Sequence, residues 1–242
     1  MAPRNLFRNR KPIPGVTWKP IERDVMRIVL VGAPGTGKGT VAGGITKRCR
    51  RFRHISLGEL LRTEVAAKTE LGLRVAPIMK KGDLVPNDDI FAVMRRRLPK
   101  RGSFILDGFP RTLEQAEAFH DLVKPDLVIA LSLPIDVARE RIENRLTCSN
   151  PNCGVSPFIS SKKELKNAIG AKCPKCKTGT LGKRTDETNV NTVVTRMRTF
   201  EEKTQPVLEF YKNKGLLKSV NAAGTPQEVL GKVLKLLGGK AC

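Results

Sequence analysis

One segment constrains this chain more than any other: Val29-Leu30-Val31-Gly32-Ala33-Pro34-Gly35-Thr36-Gly37-Lys38-Gly39-Thr40. A short apolar run, Met26–Val31, gives way to glycines, and helical spacing follows from Thr40. That order reads as a buried strand, a tight loop and a helix. Glycines let successive backbone N–H groups turn inward, and a helix N-terminus adds partial positive charge, so the product is a cradle for phosphate oxygens. Lys38 supplies a point charge for β- and γ-phosphates. The strict phosphate-loop pattern has Ser or Thr directly after the Lys. Here Gly39 intervenes before Thr40, so the loop is a variant.

Other apolar runs lie at Ser103–Leu106, Leu127–Leu133 and Leu217–Val220, with stretches of helical period between them, such as Asp88–Leu98 and Leu113–Val123. Buried runs alternating with helices predict a parallel α/β sheet covered on both faces. Residues 147–183 break the rhythm with paired Cys, Pro, Gly and Lys, and read as an insert. No apolar run approaches the ~20 residues of a membrane-spanning helix. The hydrophobic fraction of 40% excludes a disordered chain.

Gly-x-Pro-Gly-x-Gly-Lys-Gly-Thr resembles the loop of adenylate kinases and their nucleoside monophosphate kinase relatives. The resemblance runs from residue 26 along nearly the whole chain. His54-Ile55-Ser56-Leu57-Gly58-Glu59-Leu60-Leu61-Arg62 is similar to that family's first acceptor-binding segment, and Gly82-Asp83-Leu84-Val85-Pro86 to its second. Phe104-Ile105-Leu106-Asp107-Gly108-Phe109-Pro110-Arg111-Thr112, followed by Gln115, is similar to its signature. Arg141 and Arg145 lead into the insert; Arg184 and Asp186-Glu187 leave it; Arg196 and Thr204-x-Pro206 follow. The stretch from Glu187 to Arg196 is one residue longer than the family's usual spacing.

The resemblance implies an α/β fold of P-loop NTPase type, with a parallel five-stranded sheet flanked by helices. It implies a core over residues 26–242 carrying a small acceptor-binding helical insert at 55–85 and a zinc-bearing lid at 146–184. The activity it implies is ATP + AMP ⇌ 2 ADP, with Mg²⁺, by in-line transfer; the residues do not choose between ATP and GTP as donor. ATP then falls to Gly35, Thr36, Gly37, Lys38, Gly39 and Thr40 with Arg141 and Arg145. AMP falls to Ser56, Arg62, Asp83, Leu84, Val85, Gly108, Phe109, Arg111 and Gln115, with Arg184 and Arg196 bridging the transferring group. The catalytic set implied is Lys38, Asp107, Arg111, Arg141, Arg145, Arg184 and Arg196, Asp107 standing near Mg²⁺. The chemistry suits this set, because the transition state spreads negative charge and needs cations from several sides. Arg grips phosphate bidentately. Read as residues alone, Asp107 also suits a backbone cap, Gln115 an ordinary first-turn polar group, and Ser56 a cap for the helix starting near Leu57. Asp186 and Glu187 suit a closure of the insert over the core, or a solvated acidic pair.

Cys148-x4-Cys153 and Cys173-x2-Cys176 flank a Lys-rich loop, a zinc-ribbon arrangement. Four thiolates leave no open position, so such a zinc is structural. Disulfides are the alternative, disfavoured inside a cell. Cys49 and Cys242 stand at no ligand spacing.

Lys+Arg number 45 against 23 Asp+Glu, a net charge of +22, far beyond the roughly 2 to 8 that solubility asks of a small domain. Such a field attracts polyanions. Lys47-Arg48-x-Arg50-Arg51-x-Arg53 and Arg95-Arg96-Arg97 with Lys100-Arg101 carry charge that a phosphate-transfer site does not need. The alternative expectation is therefore an adenylate kinase-like subunit of a ribonucleoprotein particle such as a mitochondrial ribosome; a solvated basic face is the plain one. Residues 1–25 form a Pro- and Arg-rich arm with no acid before Glu22, a composition that suits organelle import, a mitochondrion first and the cytosol as alternative. The kinase core is expected to be monomeric.

Overall fold

The computed structural model describes residues 25–150, 153, 155–159, 161–184, 187 and 190–238. Residues 1–24 of the arm, Asp186 and Cys242 lie outside the described residues.

The expected apolar runs form a single parallel sheet. β1 (Arg27–Val31), β2 (Phe52–Ser56), β3 (Ser103–Asp107), β4 (Leu127–Ser132) and β7 (Leu217–Asn221) stand in the order β2-β3-β1-β4-β7. All four pairings are parallel. Alternate side chains of a strand point to opposite faces, and the three central strands are apolar on both. Val29, Val31, Phe104, Leu106 and Val128 pack into one core. Ile28, Leu30, Ile105, Ile129 and Leu131 pack into the other.

The first core is covered by α2 (Leu57–Ala66), α3 (Glu70–Lys81), α4 (Asn87–Arg97), α5 (Leu113–Val123) and α9 (Gln205–Asn213). The second is covered by α1 (Lys38–Arg48) and α10 (Pro226–Leu237), whose Val41, Ala42, Ile45, Val229 and Val233 are buried. β2 escapes a period-2 reading because it is an edge strand: Phe52 and Ile55 are buried while Arg53 is exposed.

α6 (Ile135–Glu143) and α8 (Val190–Thr199) pack through Ala138, Ile142, Val193 and Met197. Between α6 and α8 lies the insert, with β5 (Thr147–Cys148) antiparallel to β6 (Leu181–Gly182) and a short α7 (Lys162–Ala168). Its core is Leu146, Cys148, Cys153, Cys173 and Leu181. A π-helical turn over Phe200–Thr204 joins α8 to α9.

Each helix that follows a strand returns the chain to the N-terminal end of the sheet. α1 therefore ends in Lys47 and Arg48 beside the start of β2, and α4 ends in Arg95, Arg96 and Arg97 beside the start of β3. The register pairs Phe52 with Ser103 and Arg53 with Phe104. The two basic clusters thus meet at one end of the molecule. All ten of their cations, Lys47, Arg48, Arg50, Arg51, Arg53, Arg95, Arg96, Arg97, Lys100 and Arg101, are exposed.

Candidate active site

At the opposite end, where the strands finish, a cleft of about 350 Å³ opens. The phosphate loop forms its floor through Gly35, Gly37, Lys38, Gly39 and Thr40. Gly35 has φ +85°, and a Cβ there would lie 2.3 Å from the Ala138 carbonyl, so a side chain would strain the loop and drive α6 away. Thr36 is buried; its hydroxyl donates to the Ala33 carbonyl at 2.9 Å and braces the loop from beneath rather than facing the cleft. Lys38 Nζ donates to the carbonyls of Gly32 at 2.8 Å and Ala33 at 3.0 Å. Burial pulls this ammonium down to about 8, with Asp107 acting against the shift and Arg111, Arg196 and Arg145 adding to it.

Asp107 ends β3 beside the loop and is buried; a Cβ on Gly39 would stand 3.6 Å from its Oδ2. His54 Nε2 also lies 3.6 Å from Oδ2, an electrostatic contact too long for a hydrogen bond. Burial pushes the Asp107 carboxyl up, but His54, Lys38 and Arg111 outweigh it and hold the group below the ordinary carboxylate range. The cleft thus offers the hard oxygens of Asp107 and Thr40 near the phosphate cradle, a donor set that suits Mg²⁺ arriving with a nucleotide.

A smaller recess of about 50 Å³ opens beside the cleft, lined by Arg62, Asp83, Leu84, Val85, Arg111, Gln115 and Arg196. Arg111 Nε donates to the Gly108 carbonyl at 2.8 Å, and Thr204 Oγ1 donates to the Arg111 carbonyl at 2.9 Å. Gln115 is held at both ends of its amide: Oε1 accepts from Arg111 N at 2.8 Å, and Nε2 donates to Asn87 Oδ1 at 2.8 Å. Ser56 lines the cleft and makes no capping hydrogen bond to α2.

Besides Thr36, two further expected ligand residues are turned elsewhere. The Phe109 ring is buried in the core, edge-on to Phe91 and Phe119 at 6.1 and 5.3 Å between centroids, because an apolar ring gains more there than against a wet recess. Arg141 does not line the cleft. It faces the turn between β7 and α10, donating to the carbonyls of Ala222 and Gly224, each at 3.1 Å.

The lid brings the remaining arginines in. Arg145, Arg184 and Arg196 all line the cleft and all converge on the buried Glu187. Arg145 Nε lies 3.2 Å from its Oε2, and Nη2 contacts Oε1; Arg196 Nη1 donates to Oε1 at 2.8 Å; Arg184 Nη1 stands 3.8 Å away. Arg184 Nε also donates to Thr147 Oγ1 at 3.1 Å, which ties it to β5. Burial pushes Glu187 up, and the three guanidinium charges outweigh it, holding the carboxyl below its ordinary value. The extra residue before Arg196 does not displace it from the cleft.

The four lid cysteines are free of disulfides, and their Sγ atoms all lie within 4.8 Å of one another. Cys148 and Cys176 are 3.6 Å apart at sulfur, Cys153 and Cys173 3.7 Å. A tetrahedron of Zn–S bonds of ~2.3 Å has edges of ~3.8 Å, whereas a disulfide needs ~2.05 Å. Backbone N–H groups of Asn150 and Gly179 donate to Cys148 and Cys176 at 3.4 and 3.3 Å, as a thiolate cluster requires. The residues fit a structural zinc. Cys49 is buried at the end of α1, away from this cluster.

His54, Thr199, Phe200, Thr204, Ser156, Cys153 and Lys175 also line the cleft and were not expected to. Cys153 stood out as a metal ligand, and His54 and Thr204 within family motifs, but none of the seven as a cleft residue; only the fold brings them there.

The adenylate kinase family model matches residues 30–216. The adenylate kinase of Geobacillus sp. (strain WCH70) is 37% identical over 222 residues, covering 88% of this chain and 99% of that protein. The adenylate kinase of Elusimicrobium minutum is 38% identical over 221 residues, covering 89% and 100%. That of Bacillus licheniformis is 37% identical over 223 residues, covering 89% and 99%. The loop, the acceptor recess, the convergent arginines and these matches agree, and the chain belongs to the adenylate kinase family.

Proposed function

We propose that this chain transfers the terminal phosphoryl group of ATP to the phosphate of AMP, giving two ADP. The carrying observation is the meeting of Lys38, Arg111, Arg145, Arg184 and Arg196 on one cleft between the phosphate loop and the acceptor recess. An AMP phosphate oxygen attacks the γ-phosphorus as the bond to the bridging oxygen breaks, and no covalent protein intermediate is needed. Lys38 and the loop amides hold the donor phosphates. Arg62 and Arg111 hold the AMP phosphate in the recess, and Gln115 faces the base. Arg145, Arg184 and Arg196 neutralise the transferring group. The lid excludes water. Asp107 and Thr40 would hold the Mg²⁺ that accompanies ATP, which would supply charge neutralisation. In the lid, Cys148, Cys153, Cys173 and Cys176 hold one structural Zn²⁺.

A coupled assay of ADP formation from ATP and AMP tests the reading. Lys38→Ala and Arg111→Ala should each cut turnover at least a hundredfold without unfolding, since preorganised charge is typically worth ~2.7–4 kcal/mol per group. Normal rates in both variants would remove the mechanism.

A second reading is supported by the basic end of the molecule, where two clusters distant in sequence join into one exposed face. We infer an RNA or ribonucleoprotein partner there, compatible with the kinase activity and assisted by the arm at 1–25. We further propose a mitochondrial address carried by the arm; a reporter fused to residues 1–25 that stays in the cytosol would count against it.

A further inference from the structure

The lid contains seven lysines, and Lys175 is the one that lines the cleft. It stands inside the second knuckle, Cys173-Pro174-Lys175-Cys176, between two of the four clustered thiols. Its Nζ donates to the carbonyl of Cys153 at 2.9 Å, and Cys153 belongs to the first knuckle and lines the cleft as well. The side chain therefore bridges the two knuckles on the face turned toward the phosphate loop. Among the described residues its partner is a neutral carbonyl. An ammonium has three donors, so with one so engaged two stay available, and no described carboxylate pairs with the charge. The cleft that Lys175 lines holds the phosphate loop together with Arg62 and Arg111, while the smaller recess beside it contains no lid residue, which favours the donor side for this charge.

We propose that Lys175 is a ligand of the donor phosphates whose position is set by the metal knuckle, so that metal occupancy of the lid tunes affinity for the nucleoside triphosphate. The proposal rests on the adenylate kinase and zinc readings above. The physical link is short. A metal that draws Cys173 and Cys176 to one point fixes the turn between them, and with it the Cα of Lys175. Without the metal, four thiols have no reason to stay together, and the ammonium loses its fixed height above the loop. The zinc would then shape substrate affinity without touching substrate.

The test uses the full chain with zinc bound. Zinc per chain is counted in wild type, Lys175→Met and Lys175→Arg, and equilibrium binding of ATP and of AMP is titrated in each. The expected result is one zinc in all three, ATP binding roughly five- to tenfold weaker in Lys175→Met, AMP binding changed less than about twofold, and most of the loss restored in Lys175→Arg. Chelation should weaken ATP binding in wild type by a similar factor and add less than about twofold to Lys175→Met. A zinc-loaded Lys175→Met that binds ATP as wild type does overturns the proposal. So does a variant that loses its zinc and is not rescued by Arg, since the lysine would then serve the knuckle alone. If wild type holds no zinc, the metal coupling falls, and the ATP titration of Lys175→Met still decides the phosphate contact.

Discussion

Three guanidinium groups cannot crowd one cleft without a counter-charge, and Glu187 supplies it. Arg145, Arg184 and Arg196 meet on its carboxylate, which is buried and held ionised by them. Glu187→Gln keeps the shape and removes the charge. The arginines would then repel one another in the empty site, and turnover should fall about tenfold or more, with a loss of several degrees in Tm. Normal kinetics and melting in this variant would contradict the role. The depressed carboxyl makes its contribution to stability present above its ordinary value of 4.5 and lost as pH falls through the lower folded value. Lys38 has the opposite sign. Its ammonium is pulled down to about 8 from 10.5, so its burial costs stability below pH 8, a cost relieved as pH rises between those values. Bound phosphates favour the charged form. So kcat/KM for ATP, which reports the free protein, should decline as pH rises through about 8, while kcat stays flatter. A kcat/KM profile flat from pH 7 to 9 would refute this. The cationic half of this site was legible from residue types at motif spacing. Its carboxylate was legible only as one of an acidic pair suited to closing the insert or to solvent; its partners were not, because among 45 cations no sequence rule tells which three an acid will meet.

At the scale of elements, legibility followed burial. β1, β3 and β4 are apolar on both faces, so their runs stood out, and α5 spans the same Leu113–Val123 that its period marked. β2 was hidden by its exposed edge, and α7 by its position in a Lys-rich stretch with no buried residue to give it a period. The lid was recognisable as a break in pattern, and its cysteines give it a core that apolar residues alone do not supply. One zinc per chain is therefore expected by elemental analysis. Chelation should raise hydrogen exchange across residues 146–184 while the sheet keeps its protection, since β5 and β6 pair only with each other. Absence of metal together with oxidised cysteine pairs would refute the zinc site. Exchange that rose equally in β1 and β3 would refute the lid's independence.

Over the whole molecule, charge is divided between two ends of one sheet. The cleft sits at the C-terminal ends of the strands and holds its cations around buried carboxylates, Asp107 and Glu187. The N-terminal ends of β2 and β3 gather ten exposed cations, and the segments 46–53 and 95–104 contain no acid. None of the exposed large apolar residues among the described ones, such as Leu73, Phe158 and Leu236, lies in that face. A surface that is charged but not apolar suits a polyanion better than insertion into a lipid layer. Retention of the full-length protein on RNA should fall with salt, log affinity dropping with log salt at about −0.9 per phosphate contact on duplex and −0.7 on single strands. Because the two ends are separate, saturating ATP and AMP should leave most of that retention in place. Replacing Arg50, Arg51, Arg96 and Arg97 by Gln should flatten the salt slope while ADP formation continues at its usual rate, since none of the four lines the cleft. Removal of residues 1–25 should likewise weaken retention and spare turnover. If nucleotide displaces the RNA completely, the active-site arginines were the binding site. If the full-length protein is not retained at low salt, the excess charge is a solvated surface and the second reading falls, with the kinase untouched.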